Sequence, residues 1–538
     1  MGKATNQREA RMMAKEKKFN VKGLCIPRKH YMVDLSSRLE KMKDLIEDEE
    51  YFVINRARQY GKTTTLAALE HDLADDYTVI SLNFQGFGDV SFSSEEHFCQ
   101  KLLKEMKQSL RFSGVLKEKQ ARCTEREVDS FDSLSDHITE MCEGSKMVLM
   151  IDEVDRASNH RVFLTFLGML RTKYQARSRD KDFTFHSVIL AGVYDIKNIK
   201  LKMVQEGLHT LASGERVSDS PWNIAENFDE EMSFAPIEIA GMLADYESDH
   251  QTGMNIKEVA EAIYSYTSGY PFLVSRICQY VHEKLEKDWT QAGVLEAVRL
   301  MTEEPQPNTL FDDLFKNMRN HQKLADFLYA ILMEGEVYLF SLGDEVMEQG
   351  LRYAFIRIVE GRIRIHNKIF EMIMTSYFIS KEKREGKKLI KNSVEGDVVN
   401  GELFNIELFF EKFNAHYQRH YSHRDEAFIE REAAFLFLFF LQPYLNGKGA
   451  FHLESKPNLA TGKRMDVIVT YGHQAFIIEL KIWKGQKYQA DAYEQLTTYM
   501  SKRGEEKGYL LTFDFRQKKE IKQEWIKAHG KSILEVQV

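Results

Sequence analysis

The sequence Tyr51–Thr65, YFVINRARQYGKTTT, joins an apolar run to a loop that closes in Gly61-Lys62-Thr63. Leucines at helical spacing follow the loop, so the order is strand, loop, helix. A phosphate-binding loop requires this order, because backbone N–H groups and the positive end of the new helix surround the phosphates. Arg56 stands where the first glycine of G-x-x-x-x-G-K-[ST] belongs. The stretch predicts a nucleotide-binding loop, and an ordinary strand–turn–helix with a chance Gly-Lys-Thr is the alternative.

Within this loop, Lys62 is expected to reach the terminal phosphates of ATP, and the Thr63 hydroxyl is expected to bind Mg²⁺. The neighbouring loop residues would surround the nucleotide. The predicted nucleotide-binding residues of the loop are therefore Arg58, Gln59, Tyr60, Gly61, Lys62, Thr63 and Thr64.

A second segment favours ATP binding and hydrolysis. Met147–Glu153, MVLMIDE, is a continuous apolar run of the buried parallel-strand type that ends in two carboxylates. We expect Asp152 to hold Mg²⁺ through water and Glu153 to polarise the attacking water, as in nucleotide hydrolases with this two-part layout. A core strand followed by solvated acids is the alternative, and the upstream Gly-Lys-Thr makes it the weaker one.

Bulk properties limit the class of protein. A chain of 538 residues exceeds the size of one hydrophobic core, so about two to four domains are expected. No apolar run approaches the roughly 20 residues that span a bilayer, and the polar, basic N-terminus does not resemble a secretory signal. Five scattered cysteines without CxxC spacing indicate a reduced, cytoplasmic setting without structural zinc. A net charge of −8 means that any nucleic-acid contact must be local.

The first part of the chain predicts an α/β fold. Strands alternate with helices up to about residue 220, which indicates a parallel sheet with crossover helices. Nucleotide sits at the carboxyl ends of such strands. Tyr194 and Asp195 follow one of these ends, where they are either sensors of the γ-phosphate or plain loop residues.

Helices replace the strands after Ser220, with a break at Gly269-Tyr270-Pro271 where the proline suits a first helical turn. Ile356–Val359 and Arg362–Ile365 then alternate strictly around Glu360-Gly361, which is the pattern of a hairpin. Helices followed by a hairpin suggest a winged helix, a module that binds DNA in some proteins and serves only for packing in others.

Residues 20–380 resemble the AAA-ATPase-like families within the STAND class of signalling ATPases. The resemblance rests on Lys29-His30-Tyr31, Asn55–Thr63, Val148–Glu153 and Gly269-Tyr270-Pro271, the last being similar to the GxP turn of that class. An arginine in place of the first loop glycine is usual in these relatives. The resemblance implies a nucleotide held between an ATPase core, a helical lid and a winged helix, and an ADP-to-ATP exchange that converts closed monomers into active homo-oligomers.

The implied division is a mobile N-terminal segment 1–20, a P-loop ATPase core 21–220, a helical lid 221–300, a winged-helix-like domain 301–380 and a linker 381–400. Some STAND proteins carry Met-His-Asp in the winged helix, with the histidine on the β-phosphate. Ile365-His366-Asn367 matches this motif only in part, and we expect His366 to be a surface residue of the hairpin. Arg171 is a candidate for reading the γ-phosphate.

The C-terminal part predicts a metal-assisted phosphodiesterase site. A long apolar helix pattern, Asp425–Leu445, precedes a hairpin formed by Arg464–Thr470 and Ala475–Lys481. Alternation along the strand places Glu479 and Lys481 on one face, and Asp466 on the partner strand can reach the same side. Carboxylates on neighbouring strands repel each other unless a cation lies between them. Asp466, Glu479 and the Leu480 carbonyl would hold Mg²⁺, whose bound water attacks phosphorus, and Lys481 would orient that water.

Residues 401–538 resemble the PD-(D/E)XK nuclease superfamily. The resemblance rests on Asp466, on the Glu-x-Lys of the next strand, and on the order of elements: helix, three strands, helix, strand. Gln495 and Tyr499 match the Q-x-x-x-Y helix of some members, and Met465 replaces the proline of the name. Glu454 and Glu432 stand where auxiliary acids occur. A surface salt-bridge cluster on a hairpin is the alternative.

Together these features predict a STAND-like regulatory ATPase fused to a nuclease that cuts DNA, or less favourably RNA, with ATP and Mg²⁺ as cofactors and Mn²⁺ as a substitute at the nuclease site. The family association implies bacterial defence against invading genetic elements or the biology of such elements. The competing hypothesis is a nucleotide-switched scaffold that grips nucleic acid with an inactive nuclease fold. A DNA-translocating motor is a weaker third interpretation, and no membrane contact is expected.

Overall fold

The computed structural model describes residues 17–112, 128–158, 160–193, 222–303, 308–334, 336–384, 398–400, 403–420, 437, 440–441, 444–445, 449–454, 465–483, 486–514 and 521–538. The chain forms two compact units. The first comprises Met1–Leu324 with Leu339–Phe370, and the second comprises Ala325–Tyr338 with Glu371–Val538. Within these described ranges, every helix is too short or too polar to cross a membrane.

The helices and strands are numbered in chain order. The strands are β1 Phe52–Asn55, β2 Thr78–Asn83, β3 Met147–Asp152, β4 Ser187–Gly192, β5 Glu226–Asn227, β6 Ile356–Val359, β7 Arg362–Ile365, β8 Val399–Asn400, β9 Leu403–Phe404, β10 Gly449–Glu454, β11 Met465–Tyr471, β12 Gln474–Ile482, β13 Lys507–Phe513, β14 Lys522–Ala528 and β15 Lys531–Gln537. The α-helices are α1 Ser36–Glu47, α2 Lys62–Leu73, α3 Glu95–Phe112, α4 Phe131–Cys142, α5 Arg161–Arg177, α6 Pro236–His250, α7 Ile256–Thr267, α8 Pro271–Glu283, α9 Gln291–Glu303, α10 Thr309–Asn320, α11 Gln322–Tyr329, α12 Glu345–Arg352, α13 Lys368–Arg384, α14 Ile406–His420 and α15 Gln486–Arg503.

The first unit is built around a parallel sheet with the strand order β2-β3-β4-β1-β5, which confirms the predicted architecture. Every residue of β3 and β4 is buried, because helices cover both faces of a parallel sheet. The registers Asn83↔Asp152 and Asn55↔Gly192 bring the carboxyl ends of four strands to one edge. The nucleotide loop, which follows β1, and Glu153, which follows β3, therefore start from the same edge.

Helices α6 to α9 follow the sheet, and the break between α7 and α8 falls at the predicted place. Gly269 has a φ of +75°, and Pro271 is the first residue of α8. A Cβ on Gly269 would overlap the carbonyl oxygen of Phe234. The two residues are also joined by a hydrogen bond, in which the Phe234 N–H donates to the Gly269 carbonyl at 2.8 Å. Only glycine fits this turn, because both its backbone conformation and its surroundings exclude a side chain.

Gly269→Ala is expected to lower the free energy of unfolding of the first unit by about 2 to 4 kcal/mol, since positive φ and steric overlap add. Gly253→Ala is the matched control, because Gly253 has the same φ of +75° with open space around it, and it should cost about 1 kcal/mol. Urea unfolding followed by circular dichroism measures both. Equal costs would contradict the steric part of this explanation.

Strands β6 and β7 form the predicted hairpin, with Glu360 and Gly361 both at positive φ in its turn. Of the segment predicted to be mobile, residues 17–20 are described: Lys17 forms an ion pair with Asp245 at 2.7 Å, and Phe19 is buried. Residues 1–16 lie outside the described ranges. Most of the predicted linker 381–400 also lies outside the described ranges. Helix α13 extends into it as far as Arg384, and β8 lies at its end.

The second unit contains a mixed sheet with the order β10-β11-β12-β13-β15-β14. The predicted hairpin is confirmed as β11 and β12, joined by a turn at Gly472 and His473. Helix α15 packs on one face through Leu496 and Met500, whereas α14 packs on the other through Phe409. The final hairpin, β14 and β15, extends the sheet beyond the strands that the sequence predicts. Most of the predicted helix Asp425–Leu445 lies outside the described residues.

Candidate functional site

The loop between β1 and α2 turns at Gln59 and Gly61, whose φ values are +57° and +84°. Helix α2 begins at Lys62 directly after the loop, so its free N–H groups point into the loop. Arg56, which replaces the first glycine of the usual pattern, donates to the carbonyls of Phe228 at 3.1 Å and Glu230 at 2.6 Å. The arginine therefore fixes the entrance of the loop to the segment that follows β5.

Lys62 is only 6% exposed, and its Nζ donates to the carbonyls of Arg56 at 2.9 Å and Ala57 at 3.0 Å. Burial lowers the pKa of this ammonium group, and the carboxylates of Asp155, Glu153 and Asp152 act in the opposite direction. A desolvated cation held by neutral carbonyls attracts an anion more strongly than one in water does. The loop thus presents a charge suited to phosphate.

Thr63 and Asp152 meet at the end of β3, where the Thr63 hydroxyl donates to Asp152 Oδ2 at 2.6 Å. The N–H of Glu153 donates to Asp152 Oδ1 at 2.9 Å, and Glu153 itself has a φ of +56°. A hydroxyl and a carboxylate in contact are hard oxygen donors of the kind that Mg²⁺ prefers, so these residues fit that ion. Burial raises the pKa of Glu153, with the Asp152 and Asp155 charges adding to the effect and Lys62 opposing it.

A cavity of about 420 Å³ opens beside the loop, between the segment from Asn20 to Leu35 and helix α8. Four of the predicted nucleotide-binding residues line it, namely Gln59, Tyr60, Gly61 and Thr64. Apolar side chains such as Met32, Met232, Phe234 and Phe272 form much of the remaining wall, which is typical of a small-molecule pocket.

Arg276 on α8 also lines this cavity, and the sequence reasoning missed it. Its guanidinium lies 5.2 Å from the centre of the Phe272 ring, and its Nε is buried without a hydrogen-bond partner among the described residues. The sequence feature that could have indicated Arg276 is its position five residues after Pro271, on the helix that follows the Gly-Tyr-Pro turn. Arg171, the predicted candidate for the γ-phosphate, lies on α5 and is not part of the cavity wall in the described structure.

Three consecutive loop side chains contact later elements of the first unit. Arg58 forms an ion pair with Asp313 at 3.1 Å, and Gln59 Nε2 donates to Thr309 Oγ1 at 2.7 Å, both on α10. The Tyr60 hydroxyl lies 2.8 Å from His366 Nε2, just after β7. In addition, the hydroxyl of Tyr270 from the Gly-Tyr-Pro turn donates to the Arg58 carbonyl at 2.6 Å.

The expectation that His366 lies on the hairpin surface is wrong. His366 is 7% exposed and packs among the rings of Tyr60, Tyr270 and Phe370. The strand pattern ends at Ile365, and the backbone then turns the next side chain toward the nucleotide loop. Burial lowers the pKa of His366 to about 4, with the Arg357 charge adding to the effect.

This shift gives a pH dependence of stability. An unfolded chain takes up the proton below about pH 6.5, whereas the folded chain takes it up only near pH 4. The stabilisation is therefore complete above pH 6.5 and is lost as the pH falls toward 4. We expect the Tm of the wild type to fall more steeply over this window than that of His366→Gln, in scanning calorimetry. His473→Gln, on an exposed turn, should keep the wild-type slope, and an unchanged slope in His366→Gln would contradict the assignment.

The candidate nuclease site lies on β12 and α15 in the second unit. Glu479 and Lys481 are 3% and 9% exposed and form an ion pair at 3.0 Å. Lys481 Nζ also donates to Gln495 Oε1 on α15 at 3.2 Å. The structure thus brings together three of the predicted residues, while the side chain of Leu480 packs in the core on the opposite face.

Three neighbouring strands place acidic residues at one level of this sheet. Glu454 of β10 is paired with Asp466 of β11, which is paired with Glu479 of β12. The side chains of Glu454 and Asp466 lie outside the described part, as does all of Glu432. Among the described side chains alone, no group of three or more His, Cys, Asp or Glu residues could hold a metal ion.

This backbone register fits a divalent cation. The Lys481 ammonium group compensates the buried Glu479 charge at 3.0 Å, and residues paired across a ladder, such as Asp466 and Glu479, lie on the same face of a sheet. Glu479 and Asp466 would hold the cation between β11 and β12, with Lys481 beside them.

Comparison with known proteins agrees with both units. A family model described as an AAA-like domain matches residues 30–338, and a model of the PD-(D/E)XK nuclease superfamily matches residues 451–524. An uncharacterized WD repeat-containing protein of Synechocystis is 22% identical over 353 residues, which are 62% of this chain and 28% of that protein. The chain therefore spans little more than a quarter of the length of this relative.

Solved structures that match part of this chain include a Walker-type ATPase of Pyrococcus abyssi, with a TM-score of 0.44, 11% identity and coverage of 66% of this chain and 99% of that one. The ORC2 protein of Aeropyrum pernix follows with a TM-score of 0.37, 12% identity and coverage of 68% and 98%. The RuvB Holliday junction branch migration motor of Thermotoga maritima has a TM-score of 0.32, 13% identity and coverage of 66% and 96%. Since the AAA-like model covers more than half of the chain, the protein belongs to the AAA-like domain family, and it carries a PD-(D/E)XK nuclease domain at its C-terminal end.

Proposed function

We propose that this protein is an ATP-binding and ATP-hydrolysing regulatory ATPase of the STAND class whose C-terminal domain hydrolyses DNA or RNA phosphodiesters with a divalent metal. The observation that carries the nuclease half is the buried Glu479–Lys481 pair with Asp466 and Glu454 at the same register. The observation that carries the ATPase half is the Thr63–Asp152 contact beside a buried lysine.

In the ATPase half, the chain's residues would bind and orient the nucleotide. Lys62 would exchange its two carbonyl acceptors for terminal phosphate oxygens, while the N–H groups at the start of α2 hold the others. Thr63 and Asp152 would hold Mg²⁺, which compensates phosphate charge. The Glu153 carboxylate, whose pKa is raised by burial, would accept a proton from the attacking water as a general base. Arg276 would contact the phosphates from α8.

The regulatory role rests on the contacts of Arg58, Gln59 and Tyr60. These side chains belong to the loop that must rearrange when Lys62 turns toward a phosphate, and each contacts α10 or His366. Phosphate binding would therefore change the stability of these contacts, which is how a nucleotide switch couples to distant parts of a chain. In this proposal α6 to α9 act as the lid, and the helices with the β6–β7 hairpin act as a winged helix.

In the nuclease half, Glu479, Asp466 and the Leu480 carbonyl would hold the cation. A bound metal supplies a water of lowered pKa for attack on phosphorus. Lys481 would orient that water and offset negative charge as it develops, and Gln495 would fix the position of the Lys481 ammonium group. By analogy with other nuclease-bearing STAND proteins, we place this activity in bacterial defence against invading genetic elements.

The nuclease proposal is tested by incubating the protein with plasmid, single-stranded DNA and RNA, with Mg²⁺ or Mn²⁺, and with or without ATP. Metal-dependent cutting of one substrate is expected. Binding without cutting in every combination would favour the scaffold hypothesis, in which the Glu479–Lys481 ion pair is only structural.

The switch proposal is tested by measuring the mass of the protein in solution with ADP and then with a non-hydrolysable ATP analogue. An increase in mass with the analogue is expected. An unchanged mass would contradict an oligomerising switch without affecting the nuclease assignment.

A further inference from the structure

Glu535 on β15 is a buried carboxylate on the same face of the second sheet as Glu479. It is 1% exposed. The register pairs Glu479 with Leu510 of β13, and Leu510 with Glu535. Residues paired across a ladder share a face, so the backbones of the two acids lie at one level, roughly 10 Å apart. The proposed nuclease site does not otherwise involve Glu535.

Three side chains contact the Glu535 carboxylate. Lys522 of β14 forms an ion pair with Oε2 at 3.0 Å, and Gln489 Nε2 of α15 donates to Oε1. The Tyr493 hydroxyl hydrogen-bonds to the same group. Burial raises the pKa of Tyr493, a hydrogen bond with Gln489 opposes the rise, and the Glu535 charge adds to it. Burial would lower the pKa of Lys522, but the hydrogen bonds and charges of Glu535 and Glu524 hold it above its usual value.

Gln495 on the same helix contacts the candidate nuclease site. Its Oε1 accepts a hydrogen bond from Lys481 Nζ at 3.2 Å, and Lys481 pairs with Glu479 at 3.0 Å. Gln489 and Gln495 are six residues apart, which is about 9 Å along a helix axis. Polar groups therefore hold α15 at two points, at β15 through Gln489 and at β12 through Gln495.

Apolar contacts seat the second half of α15. Leu496 and Met500 pack on the sheet, and Met500 comes close to β13 because Gly508 has no side chain. Such contacts have no preferred direction, whereas a hydrogen bond to a buried charge has one. A buried ion pair adds little stability over apolar residues of the same volume, and its best-attested use is to fix one arrangement.

We propose that Glu535 is a positioning residue of the nuclease site: it anchors the first half of α15 through Gln489 and so holds Gln495 on the Lys481 ammonium group. The effect on cutting rests on the proposed nuclease function, whereas the anchoring is independent of it. The β14–β15 hairpin, which supplies both Glu535 and Lys522, thereby supports the site from two strands away.

The anchoring is tested by hydrogen–deuterium exchange of the intact chain, without metal or nucleic acid. Gln489→Ala removes the hydrogen bond from the helix, leaves the Glu535–Lys522 ion pair in place and introduces the best helix former. The amides of residues 486–495 should exchange about tenfold faster than in the wild type, as expected for the loss of one buried hydrogen bond. Those of residues 496–503 should be unchanged, because apolar packing seats that half.

Two further variants at the same position test the charge of Glu535. The ammonium group of Gln489→Lys can donate to Glu535 and should restore the protection of residues 486–495. Gln489→Glu places a second carboxylate against Glu535 and should exchange at least as fast as Gln489→Ala. Equal exchange in the lysine and glutamate variants overturns the proposal.

Asp491→Ala is the matched control, because Asp491 is exposed in the same half of α15. It should leave the exchange of both segments as in the wild type. Equal acceleration in Asp491→Ala and Gln489→Ala overturns the proposal, and so does wild-type exchange in Gln489→Ala.

The positioning role is tested by a double-mutant cycle on the kcat for cutting of the preferred substrate at saturating Mn²⁺. Gln489→Ala should lower kcat about tenfold with KM within about twofold of the wild type, since the substrate itself is not contacted. Gln495→Ala should lower kcat at least as much. The double variant should cut no more slowly than Gln495→Ala, because Gln489 acts only through Gln495.

Effects that multiply in the double variant overturn the positioning role, since they would show that Gln489 only stabilises the fold. If the wild type cuts no substrate under any condition, the proposed nuclease function fails. The exchange experiment alone then decides whether Glu535 anchors α15.

Discussion

If the proposed nuclease function holds, Glu479→Gln is expected to reduce metal-dependent phosphodiester cleavage about 10³-fold, because it removes the negative charge that would hold the cation and leaves a side chain of the same shape. The Glu479 carboxylate is buried beside Lys481 at 3.0 Å, so its charge acts in a medium of low polarity. The measurement is the initial rate of cutting on the preferred substrate, with ATP and Mn²⁺ at saturation. Stabilisation of the protein by Mn²⁺ in thermal unfolding should disappear in the same variant.

Glu494→Gln is the matched control, because Glu494 is exposed on α15, one residue before Gln495. It should cut at the wild-type rate. ATP hydrolysis should be unchanged in both variants, which separates loss of the metal site from loss of folding. A Glu479→Gln protein whose cutting rate stayed within about tenfold of the wild-type rate would contradict the assignment of this site, since a tenfold change corresponds to only about 1.4 kcal/mol.

Glu153→Gln is expected to lower ATP hydrolysis about 10²- to 10⁴-fold while ATP binding is retained, because an amide cannot accept a proton from the attacking water. Phosphate release measures the rate, and titration with a fluorescent ATP analogue measures the affinity. The raised pKa of Glu153 adds a pH signature. As the pH is lowered, the hydrolysis rate of the wild type should begin to fall at a pH above 4.5, the ordinary pKa of a glutamate carboxyl. The residual rate of the variant should not show this fall.

Lys62→Met is the complementary variant, because it is expected to lose ATP binding itself. Removing the ammonium group should abolish binding as well as hydrolysis, since Lys62 supplies the buried positive charge of the loop. If Glu153→Gln lost ATP binding to the same extent as Lys62→Met, Glu153 would be a structural residue of the strand end, held there by its positive φ.

The nucleotide loop and the acidic strand end could be predicted because both are local patterns on neighbouring parallel strands. Residues at the carboxyl ends of such strands meet at one edge, so the Thr63–Asp152 contact follows from topology. The same reasoning applies to Asp466 and Glu479, since a two-residue turn fixes the register of their hairpin.

The environment of His366 could not be read from the sequence. Its burial depends on Tyr60 and Tyr270, which are far away along the chain, whereas periodicity reports only on neighbours. Strand β14 was missed for a different reason. It lies at the sheet edge and none of its residues is buried, so charged residues hide its alternation.

The burial of Lys62 has a consequence for how the affinity of the loop for nucleotide should respond to ionic strength. Dissolved ions cannot approach an ammonium group enclosed by carbonyls, so added KCl leaves its attraction for triphosphate largely intact. A KCl series should therefore change the affinity of the loop for a triphosphate only slightly.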